Sequence, residues 1–276
     1  RKKPLMRGRE LKQQLKAGQP VFGVAMEGYG QARWPRFFAE TAPIDYVWLE
    51  SEHAPNGRES IAWAIQCYAA YGIAPLVRIP DISGSQAAMV LDAGAHGVIV
   101  PYVETVEQAR EMVGAAKFRP LKGRALAEAV ATGRFPNEET RAYLENWNAD
   151  SVLVLMIESA TGIANLADIL AVGHIDAIMM GPHDLSVNLG IPEQYDHPRY
   201  FEAVDSIIST CKAAGVGVGM HVFYTGVESA AAVFQRGMNF ISYKGDTLFV
   251  ADALRRDLGH LDRKSTRLNS SHLGIS

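Results

Sequence analysis

Residues 74–100 read APLVRIPDISGSQAAMVLDAGAHGVIV. Ala74–Arg78 is a short apolar run, Pro80 to Gly84 is turn chemistry, Ser85–Leu91 has helical spacing, and Gly97–Val100 is apolar again. Apolar runs of this length, separated by an amphipathic helix, are the mark of parallel strands buried on both faces. The same rhythm continues on both sides. Further strand-like runs are Val21–Met26, Tyr46–Leu49, Val152–Ile157, Ala177–Met180, Val216–His221 and Phe240–Tyr243, eight in all with the two above. Helical patterns lie between them at Trp34–Glu40, Arg58–Tyr71, Val106–Ala116, Gly162–Leu170, Arg199–Ala214, Gly226–Gln235 and Thr247–Leu258. Eight strand–helix units in a chain of 276 residues match the size and count of a (β/α)8 TIM barrel, with an open doubly wound sheet as the rival. Residues 118–150 interrupt the rhythm and read as a partly helical insertion near the mouth of the barrel.

The ends differ from this middle. Arg1–Arg9 is basic and reads as a solvated extension, with Met6 as a natural start and Glu10–Ala17 as a short opening helix. Residues 264–276 lack a period and resemble translated adapter sequence, so a single domain over 1–263 is expected, followed by a disordered tail.

Composition narrows the function. With 27 basic and 30 acidic residues the net charge is −3, which argues against a general nucleic-acid partner. No apolar stretch approaches membrane-spanning length, and the N-terminus lacks the apolar core of a secretory signal. Cys67 and Cys211 stand alone, which excludes a thiolate zinc spacing and suits a reducing, cytoplasmic setting. No P-loop or nucleophile elbow is present, and Gly215-Val216-Gly217-Val218-Gly219 follows a helix and lacks the dinucleotide spacing. Lys244, the only lysine at a strand end, lacks the apolar shielding of a Schiff-base residue.

In a barrel the chemistry gathers where strands end. Those places hold Glu50-Ser51-Glu52-His53-Ala54-Pro55-Asn56, Arg78, Glu158, Gly181-Pro182-His183-Asp184, His221 and Lys244-Gly245-Asp246. Glu158 and Asp184 follow runs too apolar for an unpaired charge, so they either share a hard divalent cation or serve as helix caps and arginine partners. Arg78 either forks onto a substrate anion or pairs with a strand-end acid such as Glu52. His53 is a titratable loop residue, able to shuttle a proton or simply to face solvent. Asp92 sits at a helix C-terminus, where an acid is mildly unfavourable, which hints at another duty. Met179, Met180, Trp34, Trp48 and Trp63 read as core or interface packing.

Taken together, Glu52-His53-Ala54-Pro55-Asn56, Val77-Arg78, Leu91-Asp92-Ala93-Gly94-Ala95, Ile157-Glu158-Ser159 and Gly181-Pro182-His183-Asp184-Leu185-Ser186 resemble the HpcH/HpaI aldolase family of metal-dependent pyruvate aldolases. Order and spacing agree over roughly Leu11–Leu258. The resemblance implies a barrel of the phosphoenolpyruvate/pyruvate type in a homo-hexamer, a dimer of trimers with the last helix swapped between subunits. It implies that Glu158 and Asp184 bind Mg2+, Mn2+ or Co2+, and that the amides of His183 and Asp184, on Gly181-Pro182, help seat the substrate carboxylate. Arg78 would stabilise an enolate oxygen. His53, with Asp92 as its orienting partner, would manage protons, and subunit contacts would complete the pocket. The implied reaction is reversible cleavage of a 4-hydroxy-2-keto acid to pyruvate or hydroxypyruvate and an aldehyde. Alternatives on the same scaffold are a citramalyl- or malyl-CoA-type lyase, an oxaloacetate decarboxylase and a non-catalytic metabolite-binding barrel. The chain departs from the family pattern in carrying Met156 where glutamine is common, His183 in place of a small or amide residue, and Glu50-Ser51 in place of Asp-Gly. Lys122-Gly123-Arg124-Ala125 keeps part of a loop expected to line the mouth.

Overall fold

Every residue of Val152–Ile157 is buried, because one face of this strand meets the interior of a barrel and the other meets helices. The computed structural model describes residues 5–28, 33–41, 43–223 and 226–272, with side chains described to 264. The strands are β1 (Val21–Met26), β2 (Tyr46–Glu50), β3 (Ala74–Arg78), β4 (Gly97–Val100), β5 (Val152–Ile157), β6 (Ala177–Met180), β7 (Gly217–Val222) and β8 (Phe240–Gly245). They pair in parallel in sequence order, and β8 closes on β1. The helices are α1 (Gly8–Lys16), α2 (Arg33–Thr41), α3 (Arg58–Ala70), α4 (Gly84–Asp92), α5 (Val106–Lys117), α6 (Gly123–Thr132), α7 (Glu138–Trp147), α8 (Ala160–Ala171), α9 (Pro182–Asn188), α10 (Pro198–Ala214), α11 (Val227–Gln235) and α12 (Asp246–His272). The (β/α)8 barrel expected from the rhythm of the sequence is the fold.

Two concentric cores follow from the strand period of two. Tyr46 and Trp48 of β2, Leu76 of β3, Val154 and Met156 of β5, Met179 of β6 and Phe240 of β8 fill the barrel. Val47, Leu49, Val77, Leu153, Leu155 and Ile178 face outward against the helices. Gly23 admits the Tyr46 ring, since a Cβ there would lie 2.2 Å from it, and Tyr46 stacks on Phe240 at 4.7 Å. The N-terminal end of the barrel is plugged by α1, whose Leu11 and Leu15 join the interior core. Thus the basic N-terminus is not simply solvated: Met6 is buried and Arg9 pairs with Asp150 at 2.8 Å. Residues 1–4 lie outside the described residues.

Two further expectations need correction. The insertion of residues 118–150 forms α6 and α7 in the connection from α5 to β5, and helix-to-strand connections lie at the N-terminal end of a barrel. There Phe118 meets His174, and Asn148 donates to the Arg119 carbonyl. The segment Lys122–Ala125 therefore does not line the mouth of its own chain. The tail beyond Arg263, expected to be disordered or at most incidentally ordered, continues α12 as far as His272. Residues 273–276 lie outside the described residues.

Candidate active site

The alternation that sorts the core also sorts the strand-end polar residues. Continuing the inward series of each strand by one step places Glu50 after Trp48, Arg78 after Leu76, Glu158 after Met156 and Gly181 after Met179 on the inner face. The four converge at the C-terminal mouth on a cavity of about 540 Å³. His53, His183, Asp184 and His221 line the same cavity.

Arg78 is held from three sides. Glu50 Oε2 accepts from its Nε at 2.7 Å and lies 2.6 Å from a terminal nitrogen, and Glu52 lies 3.0 Å from the other. The guanidinium carbon sits 4.6 Å above the Trp48 ring. Ion pairing with Glu52 therefore joins, rather than replaces, a place in the cavity. A guanidinium has five N–H donors. Among the described residues three contacts engage Arg78, which leaves donors for a substrate oxygen. Burial pushes the Glu52 carboxyl up, against the pull of Arg78.

Glu158 is buried, and one of its oxygens accepts from the Tyr102 amide at 3.0 Å. Tyr102 adopts a positive φ of 54° to aim that amide. Gly181 makes room for the other oxygen, because a Cβ at Gly181 would lie 2.0 Å from Oε1. Burial, with Asp184 nearby, pushes the Glu158 carboxyl up to about 7, against the Tyr102 hydrogen bond. Asp184 itself is exposed in the first turn of α9, with Pro182 at the helix start. His53 stands at the rim with a side chain 70% exposed, its amide donating to Glu50 at 3.0 Å.

Asp92 does not join this group. It ends α4, which runs back from the mouth to the opposite end of the barrel, and it pairs there with Arg119 at 3.2 Å. Within one chain it is not a partner of His53.

The model of the family described as HpcH/HpaI aldolase/citrate lyase matches residues 38–253. The chain belongs to that family. A 2-keto-3-deoxy-L-rhamnonate aldolase of Klebsiella pneumoniae subsp. pneumoniae is 34% identical over 226 residues, covering 80% of this chain and 81% of its own. The aldolase of the same name from Escherichia coli K12 is 31% identical over 251 residues, covering 90% and 91%. Among solved structures, an HpcH/HpaI aldolase of Desulfitobacterium hafniense superposes with a TM-score of 0.78 at 27% identity, covering 91% of this chain and 96% of that one.

Within this HpcH/HpaI chain, sequence reasoning places Glu50 and His221 at strand ends without giving them a role, and reads Trp48 only as packing. Glu50 is the main partner of Arg78, and Trp48 lies under that guanidinium instead of serving only as packing. Both follow from strand alternation. His221 packs on Trp48 at 4.8 Å and Phe223 at 4.9 Å, with its Nε2 3.2 Å from the Lys244 carbonyl. Burial holds its imidazole down to about 4, so it is neutral near pH 7.

Proposed function

We propose that this chain is a divalent-metal-dependent aldolase that reversibly cleaves a 4-hydroxy-2-keto acid into pyruvate, or hydroxypyruvate, and an aldehyde. The aldolase class rests on the family. The single observation that carries the reading is the convergence of Arg78, Glu158, Asp184 and His53 on one cavity at the barrel mouth.

Glu158 and Asp184 fit a hard cation such as Mg2+, Mn2+ or Co2+. The space left by Gly181 is filled by a carboxylate that burial makes costly to ionise, and a cation beside it offsets that cost. Two oxygen ligands leave positions open for water and a chelating keto acid. When bound, the cation supplies Lewis-acid polarisation of the keto group.

The protein's own residues complete the chemistry. The first amides of α9, at His183 and Asp184 after the Gly181-Pro182 turn, have no intrahelical partner and face a substrate carboxylate. Arg78 places N–H donors where charge builds on the keto oxygen. His53 takes the C4 hydroxyl proton as the C3–C4 bond breaks. The bonding pair moves to the C2 oxygen as an enolate, and C3 then regains a proton to give the keto acid.

The assembly is proposed to be a homo-oligomer, a hexamer built as a dimer of trimers. Its support is α12, whose Val250, Leu254, Leu258 and Leu261 form one apolar stripe, 47–60% exposed. Small-molecule substrates are its partners; among the described residues no helix is long and apolar enough to cross a membrane.

The test is an aldol assay with product mass spectrometry on metal-stripped protein, with pyruvate or hydroxypyruvate, a panel of small aldehydes, and Mg2+, Mn2+ or Co2+ restored singly. Adducts that appear only with metal are expected. No adduct with any metal, together with oxaloacetate decarboxylation, would replace this reading with the decarboxylase.

A further inference from the structure

The cavity does not end inside the barrel. Met220 and Val222 on β7 face away from the axis, opposite in phase to His221, yet they line the same space. The space therefore passes over the end of β7 and runs outside the sheet, between α10 and α11. Its walls there are Tyr200 and Val204 from α10, Val233 from α11 and Met238 ahead of β8. The gap exists because α11 offers Ser229 and Ala232 toward it, side chains too small to reach α10. At the outer end Arg236 lies 4.5 Å above Phe201 and pairs with Asp205 at 2.7 Å. The charge of Arg236 is thus already matched, and among the described residues no other cationic side chain lines the branch.

Volume separates the two parts. Six heavy atoms of pyruvate, at the roughly 30 Å³ a water claims in the liquid, fill only about a third of the 540 Å³. The carboxylates, Arg78 and His53 gather at the barrel end, and the remaining room is mostly apolar, walled by Val204, Val233 and Met238, with the hydroxyls of Ser229 and Tyr200 and the paired Arg236 among its lining. Met156 brings a thioether to the floor beside Glu158.

We propose that the aldehyde released or added by this enzyme is apolar and extended, aromatic or medium-chain aliphatic, with its tail lying between α10 and α11. The inference rests on the aldolase reading. Each methylene buried there is expected to raise kcat/KM about fourfold, the equivalent of ~0.8 kcal/mol.

The experiment uses the full chain with Mn2+ and pyruvate. Initial rates of aldol addition are compared for propanal, butanal, hexanal and phenylacetaldehyde against lactaldehyde and glyceraldehyde. Deuterium exchange into the pyruvate methyl group, without aldehyde, reports enolisation separately. Hexanal and phenylacetaldehyde are expected to exceed lactaldehyde at least tenfold in kcat/KM. Val233→Phe, which fills the branch, and Ala232→Leu, at an exposed helical position that tolerates a larger side chain, should each remove that advantage and leave exchange unchanged. Intact exchange with a flat or reversed aldehyde series overturns the inference while the aldolase reading stands. A changed oligomeric state for Ala232→Leu in light scattering, with an unchanged aldehyde ranking, overturns it by assigning the branch to a second copy of the chain. Absence of both exchange and adducts overturns the aldolase reading and this inference with it.

Discussion

One carboxylate organises both Arg78 and the loop that carries His53. Glu50 Oε2 receives Arg78 through Nε at 2.7 Å and a terminal nitrogen at 2.6 Å, while Oε1 accepts the amides of Glu52 at 2.6 Å and His53 at 3.0 Å. The two oxygens of the one glutamate side chain span these two tasks. Ser51 adds a hydroxyl hydrogen bond to the Arg78 carbonyl at 2.5 Å, which joins β2 to β3 just below the site.

Replacing Glu50 with glutamine leaves one acceptor oxygen for four donors. Breaking a buried ion pair by removing one charge costs about 3–5 kcal/mol. Glu50→Gln is expected to lower the urea midpoint accordingly and to cut kcat/KM by about a hundredfold or more through a misplaced Arg78. A variant with wild-type stability and rates would show that Glu52 alone suffices to hold the arginine.

Gly181 tests the carboxylate cradle. A methyl group there would lie 2.0 Å from Glu158 Oε1, so the carboxylate must move. Gly181→Ala is expected to weaken Mn2+ binding at least tenfold, read by electron paramagnetic resonance, with far-ultraviolet circular dichroism unchanged. Undiminished Mn2+ affinity would remove Glu158 from the metal site.

His221 predicts a pH dependence of stability. Its imidazole is held down to about 4 by burial, against a usual value of 6.5. Between those values the unfolded chain binds a proton that the folded chain refuses, so this group's contribution is full above 6.5 and is lost as pH falls toward 4. The loss is at most about 3 kcal/mol. His221→Asn keeps a donor for the Lys244 carbonyl and removes the titration. Thermal melts from pH 7.5 to 4.5 should show a steeper acid loss for the wild type than for the variant, and parallel curves would place the imidazole in a wetter setting.

What the sequence makes legible is what depends on period and order. The bounds of β3 and β5 follow from apolar runs ended by polar strand tips, and the inner or outer facing of Glu50, Arg78 and Glu158 follows from counting by twos. Topology also carries information that residue patterns obscure. A helix that leaves the mouth must end at the other rim, so Asp92 and the insertion after α5 are placed by connectivity, whatever motif they sit in. The branch between α10 and α11 is a different case. It arises from the spacing of two helices packed on β7, and nothing local in Ser229 or Ala232 announces it.

Asp92 and His53 supply the last prediction. Their side chains are 66% and 70% exposed, and they stand at opposite ends of the barrel, since the nine residues of α4 alone span about 13 Å. If Asp92 orients His53, it does so across a subunit boundary, in keeping with an oligomer joined through the exposed stripe of α12. His53→Ala and Asp92→Ala should then each be nearly inactive alone. Mixed in equal amounts and allowed to exchange subunits, they should regain activity, to at most about a quarter of wild type, because only sites drawing an intact His53 from one chain and an intact Asp92 from another recover. Light scattering before and after mixing verifies that exchange occurs. Wild-type rates for Asp92→Ala alone would instead reduce this residue to an exposed partner of Arg119, whose loss costs less than about 1 kcal/mol of stability.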